Sequence, residues 1–294
     1  MRALTVLATG PLALIQDLGR PGNGHLGVPP SGALDQPALR LANRLVGNAE
    51  SAAGIEMVLG GLSVRAEASC TVAITGPQVD VELGGHSVGS HSPVHLTAGD
   101  VLTVGNLSSG LRCYLGVSGG VDVTPELGSR ATDVLSGIGP DPLAVGAVLP
   151  LGERSGLPVG ADELPPSRVP EDLVIPVLPG PRDDWFVDAQ LGVGQWKVSP
   201  ESNRVGVRLI GTALRRAPEY QEVELASEGL VTGAIQVRPN GLPVVFLADH
   251  PTTGGYPVIG VVPEVDLAAA AQARPGTPLR FQPIPPALPG GARP

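Results

Sequence analysis

The chain has 294 residues, a formal net charge of −9 and a charged fraction of only 16%. A length of 294 residues exceeds the usual size of one hydrophobic core, so one large β domain or two lobes are expected. A net charge this negative gives no general attraction to phosphate backbones, so nucleic acid is not an expected partner. The 41 glycines and 32 prolines favour many short strands and tight turns over long helices.

The start of the chain and its two cysteines show no sign of export. The apolar run of the first residues is broken by Thr5 and Pro11, so we interpret it as a first β-strand and not as a signal peptide. No stretch of eighteen apolar residues occurs, which predicts that nothing spans a membrane. Cys70 and Cys113 are too few for a disulfide framework and are interpreted as small buried hydrophobes. A cytoplasmic location is expected.

Most of the chain is predicted to form short strands, because runs of β-branched and aliphatic residues recur between Gly, Pro, Asn and Asp. The predicted strands after the first are Gly61–Glu67, Thr71–Thr75, Val79–Leu83, Val101–Val104, Leu111–Val117, Val174–Val177, Val223–Leu225, Ile235–Val237 and Val244–Leu247. Their spacing indicates a sandwich or a barrel.

Two segments have the residue pattern of short helices. In Asp35–Val46 the apolar residues recur at helical spacing, and the Asp35 side chain can accept the unpaired N–H groups of the first turn. The second segment, Asp266–Ala273, is rich in alanine, is predicted to be capped by Asp266 and stops before Pro275. The fold class is therefore predicted to be mainly β with a few short helices.

The best candidate for a linker is the segment 152–170, which holds Gly, Pro, Ser and acidic residues without periodicity. It separates two β-rich halves that contain one helix each. The predicted organisation is an N-terminal β lobe over residues 1–151, the linker over 152–170, a C-terminal β lobe over 171–283 and a flexible tail over 284–294.

Five stretches hold more polar residues and glycines than a core needs. Glycine lets the backbone come close to a ligand, and the neighbouring side chains supply donors and acceptors. Arg20, Arg130 and Arg204 could each bind a carboxylate through two parallel hydrogen bonds, in a bidentate contact. Taken singly, each stretch is better explained by turn chemistry with local ion pairs. The stretches are 16–22 with 27–35, 128–132, 199–206, 227–236 and 248–257.

Three common functional motifs, a nucleophile elbow, a histidine metal site and a Walker A loop, are not supported by this sequence. Ser118 lies in a G-x-S-x-G pattern, but an extended segment follows where a nucleophile elbow needs a helix. His86, His91 and His95 lie in a Gly/Ser-rich hairpin region and are interpreted as solvent-facing turn residues, so no metal site is predicted. No Walker A phosphate loop occurs, so a nucleotide would need another motif or another subunit.

Together, the order of these stretches resembles the KipA family, whose members are also named the C-type subunit of 5-oxoprolinase, allophanate hydrolase subunit 2 and biotin-dependent carboxyltransferase family. The resemblance covers Leu4 to Phe281. One departure is the run 137–143, GIGPDPL, which lacks an Arg that relatives usually carry there. The matching pieces are QDLGRPG with GVPPSGALD, GGVDVTPELGSRAT, LPGPRDDWF, SPESNRVGVRLIG, SEGLVTGAIQV, NGLPVVFLAD, TTGGYPVIGVV and AQARPGTPLRF.

The resemblance implies a cyclophilin-like β-barrel fold built as two lobes. It implies a KipI-like partner, named the B-type subunit of 5-oxoprolinase or allophanate hydrolase subunit 1, and a third subunit of the LamB/YcsF type. The assembly it implies consumes ATP and opens the lactam of 5-oxoproline or a related small amide such as allophanate.

Two other functions stay open on the same resemblance. The chain could be the carboxyltransferase half of a biotin-dependent, urea-type carboxylase, in which case carboxybiotin would arrive on another protein. It could also be a KipA-like regulatory protein that modulates a sensor kinase.

We expect the site in the second lobe, where amide and hydroxyl groups can meet the carbonyl and N–H of a small amide. Glu228 and Asp249 are the candidate proton-transfer groups, and Arg204 is the candidate clamp for a substrate carboxylate. The rival interpretation is a structural ion pair between Arg204 and Glu228. The residues expected to bind substrate are Ser202, Asn203, Arg204, Gln236, Thr252, Thr253, Gly254, Gly255 and Tyr256, joined by Gln16, Asp17 and Arg20 from the first lobe.

Overall fold

The structure is a computed structural model that describes residues 2–158, 164–187 and 190–285. The chain divides into two compact units, Met1–Val169 and Pro170–Pro294. Residues 159–163 of the predicted linker and 286–294 of the predicted tail lie outside the described residues. The part of the linker segment that is described bonds to the first unit, since the Ser167 amide donates to the Gly76 carbonyl and the Leu164 amide to that of His91.

In the first unit the described strands form two antiparallel sheets. The sheet orders are β11-β1-β4-β9-β6-β7 and β2-β3-β10-β5-β8. The strands are β1 Ala3–Thr9, β2 Leu12–Gln16, β3 Gly54–Val58, β4 Leu62–Ala66, β5 Cys70–Thr75, β6 Val81–Leu83, β7 His86–Val88, β8 Val94–Leu96, β9 Val101–Val104, β10 Arg112–Val117 and β11 Val148–Pro150.

The first unit's core lies between these two sheets and includes Leu4 and Val64 from one, and Ile55 and Val72 from the other. Strand β4 alternates buried and half-exposed residues, as expected of a sheet with one face in a core. Strands β5 and β10 are buried at every position, because a helix covers the outer face of the five-stranded sheet.

That helix is α1, Gln36–Leu45, and it confirms the prediction for this segment. Asp35 is its N-cap, and its Oδ1 accepts a hydrogen bond of 3.1 Å from the Ala38 amide. Leu39 packs against Tyr114 of β10, and Leu45 packs near Ala73 of β5. The apolar stripe of α1 is thereby buried against the sheet.

The second unit contains a closed seven-stranded barrel, in the order β12-β19-β16-β17-β14-β13-β20. The parallel pairing of β12 with β20, which places Leu173 opposite Leu279, is part of this closure. A two-stranded ladder of β15 and β18 accompanies the barrel. The strands are β12 Leu173–Pro179, β13 Trp196–Val198, β14 Gly206–Gly211, β15 Glu228–Gly229, β16 Ala234–Val237, β17 Pro243–Phe246, β18 Thr253–Gly254, β19 Val258–Val261 and β20 Pro278–Pro283.

The second helix, α2, runs over Glu264–Ala271 and differs in its start from the prediction. Pro263, with φ −57°, is the N-cap, and Asp266 lies in the first turn. Proline's fixed φ suits the entry to a helix, so the chain turns helical two residues earlier than expected. Asp266 still complements the positive end of the helix dipole. Neither α1 nor α2, the α-helices of the described residues, is long and apolar enough to cross a membrane.

The mainly β fold class is confirmed, but the two halves are built differently. A closed barrel is present in the second unit, whereas the first unit has two sheets with α1 on the outside.

The predicted strand Val223–Leu225 is wrong: Val223 is 40% exposed, and the segment pairs with none of the described strands. The prediction that His91 faces solvent is wrong: His91 is buried, and its ring bonds to the Gly76 carbonyl at 2.8 Å. The likeness to cyclophilin stays a prediction.

A buried polar network fixes the start of α1 to the five-stranded sheet. The Tyr114 hydroxyl donates to Glu56 Oε2 at 2.7 Å and accepts from the Asp35 amide at 2.8 Å. The Leu34 amide donates to the same Glu56 oxygen at 3.0 Å, and Arg112 Nε lies 3.7 Å from Glu56 Oε1. Burial, together with the charges of Glu56 and Asp35, raises the pKa of Tyr114 well above 10.0.

Tyr114→Phe should destabilise the first unit by about 1–3 kcal/mol, because it leaves a buried amide and a buried carboxylate without one partner. The measurement is native-state hydrogen exchange of the β3 and β10 amides. Thr5→Val is the control, since Thr5 Oγ1 bonds to Glu67 on the exposed side of the same unit. An equal effect of both variants would contradict a special role for the network.

Both cysteines are buried and unbonded to each other, which confirms their interpretation as small hydrophobes. Burial, with a further effect of the Glu56 charge, raises the pKa of the Cys113 thiol from 9.0 to about 12. Burial also raises the pKa of Cys70.

The raised pKa of Cys113 predicts a loss of stability in alkali. The unfolded thiol releases its proton at lower pH than the folded one, so the free energy of unfolding should fall as the pH rises from 9.0 towards about 12. Urea unfolding at several pH values measures this slope. Cys113→Ala should flatten the slope between pH 9 and 10 more than Cys70→Ala does; equal slopes for all three proteins would refute the assignment.

Candidate functional site

Four of the predicted site residues meet in the short ladder of the second unit. In this ladder Glu228 pairs with Gly254, and Gly229 pairs with Thr253. The following residue, Gly255, comes close to the Leu225 carbonyl, where an added Cβ would lie 3.1 Å from the oxygen. The ladder therefore brings Glu228 next to the consecutive residues Thr253, Gly254 and Gly255, which are distant from it in sequence.

The side chain of Gln236, from β16, lies directly against this ladder. A Cβ on Gly254 would approach Gln236 Nε2 to 2.8 Å, so only glycine lets the amide lie this close. Nε2 donates to the Tyr256 carbonyl at 3.0 Å. Gln236 thus holds the backbone of the segment that carries Tyr256, and the Tyr256 side chain itself remains 45% exposed.

Glu228 is held by an arginine that the sequence analysis did not select. Arg182 Nη2 donates to Glu228 Oε1, and both side chains are about one-third exposed. The Arg182 guanidinium also lies 5.8 Å from the ring centre of Trp185, within the range of a cation–π contact. The rival interpretation of an ion pair between Arg204 and Glu228 is wrong, because Glu228 pairs with Arg182.

Trp185 is the centre of an aromatic and cationic cluster. Its ring stacks on Tyr220 with centroids 4.7 Å apart and planes 7° from parallel. The guanidinium of Arg216 lies 5.5 Å from the same ring. Arg216 Nη1 donates to the carbonyls of Tyr220 and Val223, at 3.0 and 2.8 Å. These contacts fix the loop that follows Tyr220.

A cavity of about 860 Å³ opens beside this cluster. The volume falls in the range of small-molecule sites. Gly255 and Tyr256 of the predicted set line it, together with two arginines and two glutamates. Its lining includes Phe186, Arg216, Glu222, Glu224, Arg238 and Tyr256.

Arg204 and Asp249 form a buried, two-pronged ion pair. Arg204 Nε bonds to Asp249 Oδ2 at 2.8 Å, and Nη2 bonds to Oδ1 at 2.9 Å. The side chains are 2% and 0% exposed. The Asp249 amide also donates to the Arg204 carbonyl at 3.2 Å. The pair joins the segment before β14 to the segment after β17.

This ion pair and the cavity lie at opposite ends of β17. Phe246, at the end of β17 nearer Asp249, pairs with Gly206, whereas Pro243 at its start pairs with Val237. The cavity is lined by residues of the hairpin before Pro243, including Arg238. Pro243 and Phe246 are three strand rises, about 10 Å, apart. The Arg204 guanidinium is bonded to Asp249, beyond Phe246, and so does not reach the hairpin.

Ser202 and Asn203 are bonded within their own turn. Ser202 Oγ accepts from the Arg208 amide at 3.0 Å and donates to its carbonyl at 3.3 Å. Asn203 Oδ1 accepts from the Val205 amide at 2.9 Å. The Thr252 carbonyl accepts from the Leu230 amide at 2.9 Å. In this geometry Ser202 and Asn203 shape the entry to β14.

In the first unit, Asp17 joins two of the polar stretches. Its Oδ1 accepts from the Gly19 amide at 2.7 Å and from Ser129 Oγ at 2.6 Å. Its Oδ2 accepts from the Arg130 amide at 2.7 Å. The carboxylate thereby fixes the loop after β2 to the Gly128–Thr132 stretch.

Gln16 and Arg20 reinforce the same junction and are both buried. Gln16 Nε2 donates to the Thr132 carbonyl at 2.8 Å, and Arg20 Nη2 donates to that of Ala131. Their participation in substrate binding stays a prediction. Among the residues that the structure describes, no group of three or more His, Cys, Asp or Glu could hold a metal ion.

Sequence reasoning missed Arg182 and Trp185 in the aromatic and cationic cluster, and Arg216 and Arg238 in the cavity lining. Arg182 and Trp185 lie in the LPGPRDDWF piece, where an arginine three residues before a tryptophan could have indicated a cation–π contact. Arg216 and Arg238 lie in segments without a motif, so only the fold reveals them.

The sequence and the fold were compared with known proteins. The model of the family described as "Carboxyltransferase domain, subdomain A and B" matches residues 26–283. The C-type subunit of 5-oxoprolinase from Escherichia coli (strain K12) is 38% identical over 287 residues, covering 95% of this chain and 90% of that protein. The urea amidolyase of Saccharomyces cerevisiae is 34% identical over 312 residues, covering 96% of this chain but 17% of that protein.

The crystal structure of the K. lactis urea amidolyase superimposes on this chain with a TM-score of 0.88 at 32% identity. The match covers 96% of this chain and 19% of that structure. The chain therefore spans most of a 5-oxoprolinase subunit but less than a fifth of a urea amidolyase. It belongs to the family of the carboxyltransferase domain, subdomain A and B, and is a homologue of the C-type subunit of 5-oxoprolinase.

Proposed function

We propose that the chain is one subunit of a multi-subunit, ATP-dependent amidohydrolase that opens 5-oxoproline or a related small amide. The observation that carries this is the match to the C-type subunit of 5-oxoprolinase across 95% of this chain and 90% of that protein. A match of nearly whole chain to nearly whole chain supports a common role better than a match to a small part of a large enzyme.

The site we propose is the cavity beside the β15–β18 ladder. Glu228 is the proposed proton-transfer group, because it is partly exposed and its geometry is fixed by Arg182. Tyr256, partly exposed at the cavity wall, supplies a ring and a hydroxyl. Gly255 lines the cavity next to Tyr256. Gln236 bonds to the Tyr256 carbonyl, and the ladder of Glu228 and Gly229 with Thr253 and Gly254 lies beside the cavity wall.

Arg204 and Asp249 take a different proposed role. Both oxygens of Asp249 are bonded to the Arg204 guanidinium, in a place that solvent does not reach. That geometry favours a positioning role, in which the pair fixes the segment leading to Thr252 and Tyr256. The carboxylate clamp on Arg204 and the proton transfer by Asp249 stay predictions.

The proposed assembly includes a KipI-like subunit, and a LamB/YcsF-like subunit as a third member. In the first unit the six-stranded sheet ends at β7 and the five-stranded sheet ends at β8, whereas the outer edges of β2 and β11 bond to the segments around Thr132 and Asp122. Open strand edges can pair with another chain. ATP would be bound by another subunit or through another motif, since the sequence has no Walker A loop.

A second candidate function is the carboxyltransferase half of a biotin-dependent, urea-type enzyme. The family model and the match to urea amidolyase favour it. This function would use carboxybiotin carried by another protein, so bicarbonate dependence separates it from the first candidate.

The co-purified subunits should convert 5-oxoproline to glutamate only when ATP is present, and this chain alone should show no turnover. Glutamate formation, measured with and without ATP and bicarbonate, tests both candidates. Conversion that needs bicarbonate and a biotin carboxylase would favour the second candidate. Turnover by the single chain would overturn the shared-subunit proposal.

Arg204→Lys should lower the stability of the second unit by about 1.5–3 kcal/mol, because an ammonium cannot make both bonds to Asp249. Trp185 and Trp196 are the only tryptophans and both lie in this unit, so tryptophan fluorescence reports its unfolding. Arg280→Lys, at an exposed position, is the control.

The same variant separates the two roles of Arg204. A positioning role predicts lower stability together with impaired turnover of the assembled enzyme. Unchanged stability with a raised Michaelis constant for 5-oxoproline would instead establish Arg204 as the substrate clamp.

A further inference from the structure

We infer that Arg238 is the residue that binds the carboxylate of the substrate, and that the cavity therefore selects small amides that carry a carboxylate. This inference rests on the proposed function and adds to it a substrate class and a specificity-determining residue. Arg238 lies in none of the motifs that resemble the family.

The backbone of Arg238 is fixed at the hairpin that joins β16 to β17. Its amide donates to the Leu242 carbonyl at 3.3 Å, and its carbonyl accepts from the Gly241 amide at 2.9 Å. The hairpin lines the cavity through Arg238, Pro239 and Gly241, and Tyr256 lines it as well. A cation on a closed hairpin has a defined place at a cavity wall.

The guanidinium of Arg238 is uncommitted, unlike its neighbours. In the described part of the chain its side chain makes no hydrogen bond or ion pair, and its Nε is buried without a partner. Arg182 Nε is also buried without a partner, but Arg182 Nη2 bonds to Glu228, and Arg216 bonds to two backbone carbonyls. A buried, unpaired N–H is costly, so a bound anion that accepts from it gains a strong, charge-assisted bond.

The remainder of the cavity favours a ligand that also has N–H donors. Glu222 and Glu224 line it, on the loop that Arg216 holds through the Tyr220 and Val223 carbonyls. Carboxylates accept hydrogen bonds and cannot donate them. A carboxylated lactam such as 5-oxoproline offers an anion to Arg238 and an N–H to a glutamate. Urea has N–H groups but no anion.

The test uses the full ¹⁵N-labelled chain and three probes: 5-oxoproline, its neutral carboxamide, and acetate. The Nε–H resonance of Arg238, identified by its loss in Arg238→Lys, should shift with 5-oxoproline and with acetate but not with the carboxamide. Arg238→Gln should weaken 5-oxoproline binding about tenfold or more, because a bidentate charged contact is lost. Arg238→Lys should weaken it less.

Arg280→Gln is the matched control, since it removes the same charge from an exposed strand position and should leave binding unchanged. If Arg238→Gln binds 5-oxoproline as tightly as the unmodified chain, or if no carboxylate shifts the Arg238 resonance, the inference is overturned. A response to acetate without one to 5-oxoproline would support the anion site and count against 5-oxoproline as substrate. ATP-dependent turnover by the assembled subunits tests the proposed function separately.

Discussion

The buried pair of Arg204 and Asp249 is the interaction on which the site of the second unit depends. It fixes the beginning of the segment after β17, while the β15–β18 ladder and the bond from Gln236 to the Tyr256 carbonyl fix its end. Separating the pair would leave an uncompensated buried charge, at a cost of about 3–5 kcal/mol. A segment of glycines and threonines has little apolar surface to hold it in place. The ion pair supplies that constraint.

In the first unit, Asp17 fixes two loops in the same way. One carboxylate accepts hydrogen bonds from three donors on two loops, the amides of Gly19 and Arg130 and the hydroxyl of Ser129. Loops without regular hydrogen bonding must satisfy their polar groups in some other way. In both units a buried Asp accepts hydrogen bonds from such loops. A polar, glycine-rich stretch can therefore stabilise the fold as well as bind a ligand.

The parts of the fold that follow from local pattern could be predicted from the sequence. Helix α1 was predictable because its cap, its apolar spacing and its end all agree. The loop conformation of Val223–Leu225 could not be predicted, because β-branched residues also occur in loops. Here the loop is held by the bond from Arg216 to the Val223 carbonyl. The closed barrel depends on the pairing of β12 with β20, about a hundred residues apart, which local spacing cannot reveal. For the proposed site, the sequence predicted Glu228, Gln236 and the segment 252–256 but not Arg238.

Choosing among the arginines required the partners of each, and composition carries no information about partners. Arg204 stood in a polar motif and therefore looked available, yet Asp249 occupies two of its donors. Arg238 stood outside every motif, yet its Nε lacks a partner in the described residues. Its hairpin is closed by backbone bonds that do not need the arginine side chain. A substitution there would change the charge of the cavity and leave the barrel intact, so this hairpin is a place where chains of one fold can differ in the substrates they accept.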